Sequence, residues 1–311
     1  MLTVEREIFA DFAMSAVATY RKYDKYNWEL KIWKDAAGNT TAMEDQSMYL
    51  SAGRPPATIP GIGDTKEAKN HDWYYESPFY TTYSPYSERM ERPDFYMNYI
   101  GFDILLNKRL SNKWMANANF TWQTQSQRYG SKGYMNPTNL WAYEGKPQAA
   151  YVGGASGKIN QHIYSRWMFK AAGLYQLPYD INVSGTFNMR EGWVIDEYFY
   201  FRNQTLPNPL SQFANLRMNE FGTNRLPLFY NLGMRIEKLL RIGDTGRIYV
   251  MADIFNVLNK LVENRRQQMY YGAYYMYANP ALNRFVPWPH FNSLNEVLNP
   301  RVVRLGVRFT F

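Results

Sequence analysis

Trp114-Met115-Ala116-Asn117-Ala118-Asn119-Phe120-Thr121-Trp122-Gln123 changes character at every step. Trp114, Ala116, Ala118, Phe120 and Trp122 are apolar. Of the interleaved Met115, Asn117, Asn119, Thr121 and Gln123, all but Met115 are polar. Successive side chains leave a strand on opposite sides, so a period of two predicts an extended segment with one apolar and one polar face. Ile181 to Arg190 repeats the pattern, with Ile181, Val183, Gly185, Phe187 and Met189 against Asn182, Ser184, Thr186, Asn188 and Arg190. So does the end of the chain, with Val303, Leu305, Val307, Phe309 and Phe311 against Arg304, Gly306, Arg308 and Thr310. Weaker copies lie at Ile8–Tyr20, Phe102–Leu106, Trp167–Tyr175, Leu232–Ile236 and Ile248–Ile254. The last is blurred by Tyr249 and Met251 on its polar side.

Between these segments, short connections alternate strictly with long ones. Ser111-Asn112-Lys113 joins Leu110 to Trp114, Gln176 to Asp180 joins Tyr175 to Ile181, and Arg241 to Thr245 joins Leu240 to Gly246. Residues 22–95, 129–162, 196–226 and 259–300 form long stretches rich in Tyr, Pro, Asn and Gly. Closing the first hairpin with Leu110 opposite Trp114 sets Leu106 against Ala118, Ile104 against Phe120 and Phe102 against Trp122. It also sets Asp103 against Thr121 and Asn107 against Asn117, so like faces like, as a hairpin register requires. The other two hairpins close with the same parity. A meander with short turns at one end and long connections at the other is the layout of a barrel that spans a membrane.

Composition is compatible with that. Aromatics are 17% of the 311 residues, with 27 Tyr, 18 Phe and 9 Trp, side chains suited to surfaces half apolar and half wet. Mean hydropathy is −0.51, and no window has the apolar length of a membrane helix. A barrel strand shows only half its side chains to lipid, so this leaves a barrel open. Net charge is +8, but Lys and Arg are dispersed without a block of five, which argues against nucleic acid as partner. There is no cysteine, hence no disulfide framework and no thiolate metal site. A soluble β-sandwich also alternates, but it places long loops at both ends.

Several stretches carry a resemblance to a known family. Asp253-Ile254-Phe255-Asn256-Val257-Leu258-Asn259 and the closing Asn299-Pro300-Arg301-Val302-Val303-Arg304-Leu305-Gly306-Val307-Arg308-Phe309-Thr310-Phe311 are similar to the last two strands of TonB-dependent outer-membrane receptors. Asn107 to Trp114, Gly153-Gly154-Ala155, Phe221 to Pro227 and Asn283-Arg284-Phe285 resemble the Oar-like, carboxypeptidase-regulatory-like branch. The resemblance implies a 22-stranded barrel around an N-terminal plug, with uptake powered by a TonB-type partner acting through that plug. It also implies that Val303, Leu305, Val307, Phe309 and Phe311 are the signal read by the barrel-assembly machinery. The expected fold is all-β: an antiparallel up-and-down transmembrane β-barrel segment of about eight strands, with long extracellular loops and short periplasmic turns. The strands are expected at 5–21, 96–110, 113–128, 163–175, 181–195, 227–240, 246–258 and 301–311. Residues 1–311 read as the C-terminal part of such a receptor in the bacterial outer membrane, with plug and signal peptide absent. Eight strands cut from a larger barrel leave two open edges, and closing them would crowd inward Arg235, Arg247, Arg304 and Arg308 into a narrow lumen. A self-contained small barrel, structural or adhesive, and a soluble saccharide-binding β-protein stay open.

Candidate chemistry is sparse. His71, His162 and His290 are far apart with no ligand spacing, and Gly61-Ile62-Gly63-Asp64 is a loop turn before it is a phosphate cradle. Glu44, Asp45 and Asp64 are a weak calcium set, and Asn39-Thr40-Thr41 and Asn203-Gln204-Thr205 match glycosylation acceptors. No Ser/His/Asp constellation assembles, so the chain reads as a non-enzyme without cofactor or metal. The strongest lead is aromatic: Trp73, Tyr74 and Tyr75, Trp141 with Tyr143, Tyr198 with Tyr200, and Tyr270, Tyr271, Tyr274, Tyr275 and Tyr277. On extracellular loops these form stacking platforms for sugars, aromatic chelates or peptides, or else pack loop on loop. Asn117, Asn119, Asn188 and Arg190 are expected to face the lumen and the plug.

Overall fold

The structure is a computed structural model. It describes residues 1–43, 48–51, 54, 57–59, 63–64, 69–70, 74–76, 86–92, 96–129, 157–161, 165–195, 198–203, 213–217, 224–243, 246–266, 269–276, 284–285 and 292–311. Nine strands make its main sheet: β1 (Leu2–Phe9), β2 (Phe12–Tyr23), β3 (Tyr96–Ser111), β4 (Trp114–Tyr129), β5 (Trp167–Leu177), β6 (Ile181–Arg190), β7 (Phe229–Ile242), β8 (Gly246–Phe255) and β9 (Val302–Thr310). They pair antiparallel in chain order, and the short strand Gly157–Gln161 adds to the far end of β4. β1 and β9 each have one neighbour, so the sheet is open at both edges.

The short turns lie side by side along one end. Arg109 N donates to Asp11 O, Gln176 N to Lys113 O and Leu239 N to Asp180 O, so each turn is bonded to the chain of the next hairpin. These turns run through the left-handed region at Asp11 (φ 65), Asn112 and Lys113 (φ 49 and 71), Tyr179 and Asp180 (φ 64 and 57) and Gly243 (φ 59). Gly tolerates that conformation because it has no Cβ to meet the following carbonyl, and Asn and Asp because their short polar side chains can bond the local backbone.

Register carries one apolar face across the sheet. Met14, Leu106, Ala118, Ala171, Phe187 and Leu232 form one continuous cross-strand row, and Trp114, Tyr175, Val183, Ile236, Ala252 and Leu305 form another. Nothing in the described chain covers this face: Phe102 is 50% and Leu305 79% exposed. Among the described residues the buried large apolar side chains are Ile32, Trp33, Met48, Leu226 and Val262, all outside the nine strands. The sheet's buried side chains include instead the charged Lys108 and Asp253. A sandwich would invert this order, because its apolar faces pack on each other.

The N-terminal segment departs from the expected single strand over 5–21. It is a hairpin, turning at Ala10-Asp11, so the meander has nine strands and begins with a further short turn. Phe9 pairs with Phe12, their rings stacked with centroids 4.7 Å apart. The register then slips between Phe9 and Glu7, after which Arg6 opposes Met14, Val4 opposes Ala16 and Leu2 opposes Ala18. A two-residue turn alone would place odd residues opposite even ones. The slip at Ile8 restores parity, so even-numbered residues keep to one face on both sides of the turn and the alternation reads as unbroken. The next hairpin is corrected at its tip for a similar reason: Trp114 pairs with Ser111, not Leu110, and an irregularity between Lys108 and Ser111 returns the expected pairs from Lys108–Ala116 upward. Several strand ends move by a few residues: the expected 163–175 is Trp167–Leu177, 181–195 stops at Arg190 and 246–258 stops at Phe255.

The ends of the apolar face are chemically marked. Lys108 shares that face in register between Phe12 and Ala116, yet its Nζ reaches back to Arg109 O (2.8 Å) and Ser111 Oγ and lies 5.0 Å from the Trp114 ring centroid. Lys238, also in that register, donates to Tyr179 O. Two lysines thus carry their charges toward the short turns, as lysines do at an apolar boundary. Trp122 pairs with Trp167 at the other end. From Trp114 to Trp122 is about 27 Å along the strand. At a barrel tilt near 40° this spans about 21 Å, comparable to the roughly 25 Å apolar band of outer-membrane barrels.

Candidate functional site

The polar face is where side chains converge. Its central feature is Asp253 on β8, seated between neighbours on both sides. Arg235 on β7 donates through Nε to Oδ1 (2.5 Å) and Nη2 to Oδ2 (3.1 Å), and Arg304 on β9 donates through Nε (3.0 Å) and Nη2 (2.7 Å) to Oδ2. Register places all three in one row, with Asp253 opposite Arg235 on one side and Arg304 on the other. Asp253 is 7% exposed, while both guanidiniums are open enough to present charge to the same space. A cavity of about 410 Å³ lies against this row, lined in part by Asn117, Ser184 and Thr186. Below it Arg308 stacks on Tyr249, 4.2 Å from the ring centroid. Two cations on one carboxylate leave the row net positive and hold three adjacent strands together.

A second cluster sits where the strands give way to long connections. Glu191, directly after β6, accepts from Arg166 Nη2 (2.5 Å), Nε (2.9 Å) and backbone N (2.8 Å), and lies 3.2 Å from Arg225 Nη1. The same Arg225 Nη1 donates to Gly192 O (2.9 Å), and Ser165 Oγ donates to Glu191 O (2.5 Å). Burial pushes the Glu191 carboxyl up, but the hydrogen bonds from Arg166 and the charge of Arg225 outweigh it and hold the group below the ordinary carboxylate range. Gly192 permits the approach: a Cβ there would fall 1.7 Å from Leu226 O. Arg190 lies between Trp193 and Phe229, 4.4 and 4.3 Å from their centroids. Arg225 and Leu226 belong to the quoted stretch Phe221–Pro227, whose described part thus clamps the chain leaving β6 to the chain entering β7.

The other quoted motif acts likewise. Asn256, buried and at φ 49, donates through Nδ2 to Asn299 O (2.9 Å) and Lys260 O (3.1 Å) and accepts from Lys260 N at Oδ1 (3.1 Å). Asn259 Oδ1 accepts from Arg301 N (2.9 Å). The end of β8 is thereby tied to the start of β9 across their long connection.

The aromatic residues divide. Tyr198 and Tyr200 lie on the strand Tyr198–Asn203, which pairs in parallel with Met269–Met276, the strand of Tyr270, Tyr271, Tyr274 and Tyr275. Two long connections thus meet in one four-stranded sheet, completed by Phe213–Arg217 and Arg284–Phe285. Tyr74 and Tyr75 lie in a separate pairing with Tyr49–Ser51. Trp73, Trp141, Tyr143 and Tyr277 lie outside the described residues, as do His71, His162, His290, Glu44, Asp45 and the stretch Gly153-Gly154-Ala155. Asp64 is paired with Lys69 at 2.8 Å. Among the described residues no group of three His, Asp or Glu is placed to hold a metal. Val303, Leu305, Val307 and Phe309 lie in register on the apolar face of β9, and Phe311 follows it, fully exposed.

No protein-family model matches this sequence, and no curated protein matches it. Solved structures similar to it are outer-membrane transporters and receptors. The outer-membrane transporter YddB of Escherichia coli shares 10% identity at a TM-score of 0.44, over 99% of this chain and 31% of that one. FpvA of P. aeruginosa, bound to pyoverdines, shares 10% at 0.37 over 99% and 32%. The ferric-catecholate import receptor Fiu of E. coli shares 10% at 0.30 over 81% and 34%. The chain spans about a third of the length of each.

Proposed function

We propose that this chain is part of the wall of an outer-membrane receptor that imports a solute too large or too scarce for open pores. The observation that carries the reading is the apolar face of nine paired strands, uncovered by any described part of the chain and edged by Trp114, Trp122, Lys108 and Lys238. Such a face in water would be a large sticky patch, and in lipid it is solvated. In hydrocarbon each unpaired backbone group costs several kcal/mol, so the free edges of β1 and β9 require further strands, which complete the barrel. The opposite face, with its Arg235–Asp253–Arg304 row, lines the lumen and receives a plug. Energy arrives through that plug from a TonB-type partner. The long connections capture the solute outside, and the assembly machinery recognises β9.

Fractionation of cells expressing the chain tests this. The chain is expected in the outer-membrane fraction, extractable only with detergent. Recovery as a monodisperse species in aqueous buffer overturns the reading.

A further inference from the structure

The polar face of the main sheet is sorted by charge. Paired residues of neighbouring strands share a face. On β7, β8 and β9 register gives that face Arg235, Arg241, Arg247, Arg304 and Arg308 against two acids, Glu237 and Asp253. β4, β5 and β6 add Lys170 and Arg190 to it and no acid. The other acids of this face stand on the far strands: Glu5 and Glu7 on β1, and Asp103 on β3, which accepts from Thr121 Oγ1 at 2.6 Å. Arg241 is matched by Asp180 at 3.2 Å.

The cations nearest the cavity keep donors to spare. Arg235 and Arg304 each spend Nε and Nη2 on Asp253, which leaves the Nη1 side of both guanidiniums directed away from it. Their side chains are 43% and 63% exposed. Arg308 lies over the Tyr249 ring, a contact that leaves its in-plane N–H groups to bond elsewhere. It follows Arg304 on the same face of β9, with Gly306 between them and about 13 Å of strand from one to the other. Beside the row, the cavity of about 410 Å³ is floored by Ala172, Ser184, Thr186 and Gly233, all small, which leaves room for a segment of chain.

A small anion would engage one end of this array. An extended polypeptide advances about 3.3 Å per residue and repeats its face every second residue, so carboxylates four residues apart would meet both ends. A second copy of the chain would bring like charge to the same face.

We infer that this face docks an extended acidic segment of the plug, with one carboxylate on the open sides of Arg235 and Arg304 and a second, four residues away, on Arg308. The inference rests on the receptor reading above and names the chemistry of the segment that the polar face receives.

The test titrates the whole chain in detergent with a capped heptapeptide bearing glutamates at its second and sixth positions. Its diglutamine counterpart and an isomer with the two glutamates adjacent serve as comparisons. The spaced peptide is expected to bind at least about tenfold more tightly than the diglutamine peptide, with the margin shrinking as salt is added, and about fivefold more tightly than the isomer. Arg308→Ala, which leaves the clasp on Asp253 intact, is expected to abolish the preference for spacing, and Arg308→Lys to keep part of it. Lys170→Ala removes the same charge outside the array and should leave the preference unchanged. Melting temperatures in detergent establish that the variants are folded. Equal binding of the spaced and adjacent peptides, or of glutamate and glutamine, overturns the inference, as does a spacing preference that survives Arg308→Ala. Inorganic phosphate binding as tightly as the spaced peptide would make this a small-anion site and overturns it as well. A chain that partitions into membranes and fails the titration removes this inference alone, whereas a chain that does not partition removes the reading beneath it.

Discussion

Arg304 Nη2 lies 2.7 Å from Asp253 Oδ2, joining the open-edged strand β9 to β8 from the polar side. Arg235 holds the other oxygen of the same carboxylate, so the last three strands share one ionic clasp. Removing the carboxylate leaves two cations facing each other, which is worse than removing either cation. Asp253→Ala is therefore expected to lower the melting temperature in detergent more than Arg304→Ala or Arg235→Ala. Combining Asp253→Ala with both arginine changes should recover part of the loss. Additive losses in a mutant cycle would separate the three residues energetically.

Glu191 makes the clamp just beyond β6 sensitive to pH. Its folded pKa lies below the ordinary 4.5, so its contribution is complete above that value and is lost as pH falls through the folded pKa. Glu191→Gln is expected to destabilise the chain by roughly 1 kcal/mol at neutral pH, after allowance for the exposure of Arg166. The difference should shrink below about pH 4. Thermal melts of both proteins across pH 3–7 measure it, and a gap independent of pH contradicts this role.

Gly192→Ala tests the same clamp through its backbone. The added methyl meets Leu226 O and cannot be accommodated without moving one chain off the other. A loss of about 2 kcal/mol or more is expected, together with faster proteolysis in the segment 191–228. Wild-type cleavage rates would show that the two chains are not clamped.

Asn256 combines a left-handed backbone with three side-chain hydrogen bonds. Asn256→Gly relieves only the backbone and Asn256→Ala neither, so Ala is expected to cost more. Both should exceed about 1 kcal/mol, and amide exchange should rise at Lys260 and Arg301. Equal costs would assign the whole effect to the side chain.

Much of this architecture is legible in residue patterns because a sheet with one apolar and one polar face requires strict alternation along each strand. The pairs Leu106–Ala118, Ile104–Phe120 and Phe102–Trp122 follow from matching like faces across the hairpin, and the structure has them, although its turn closes at Ser111–Trp114 and an irregularity restores the register. The N-terminal hairpin stays hidden because the slip at Ile8 restores the phase that the Ala10-Asp11 turn disturbs, and Asp11 is the one local sign of a turn. The clasp was half within reach: setting Leu240 opposite Ile248 also sets Arg235 opposite Asp253. Arg304 arrives through a long connection, and no local rule supplies its register. The same holds for the parallel pairing of Tyr198–Asn203 with Met269–Met276, and for Glu191 with Arg166 and Arg225, which depend on contacts between distant segments.

The central claim is that alternate residues of each strand meet lipid and water. The chain has no cysteine, so a single introduced cysteine carries a spin label at a unique position. Labels at Asp103, Ile104, Leu105, Leu106, Asn119, Phe120 and Thr121, in the protein reconstituted into bilayers, give accessibility to oxygen and to a water-soluble nickel chelate. The account predicts a period of two, with oxygen favoured at Ile104, Leu106 and Phe120 and the chelate at Asp103, Asn119 and Thr121. Uniform accessibility along the strands, or shielding of Ile104 and Phe120 from both reagents, would contradict it.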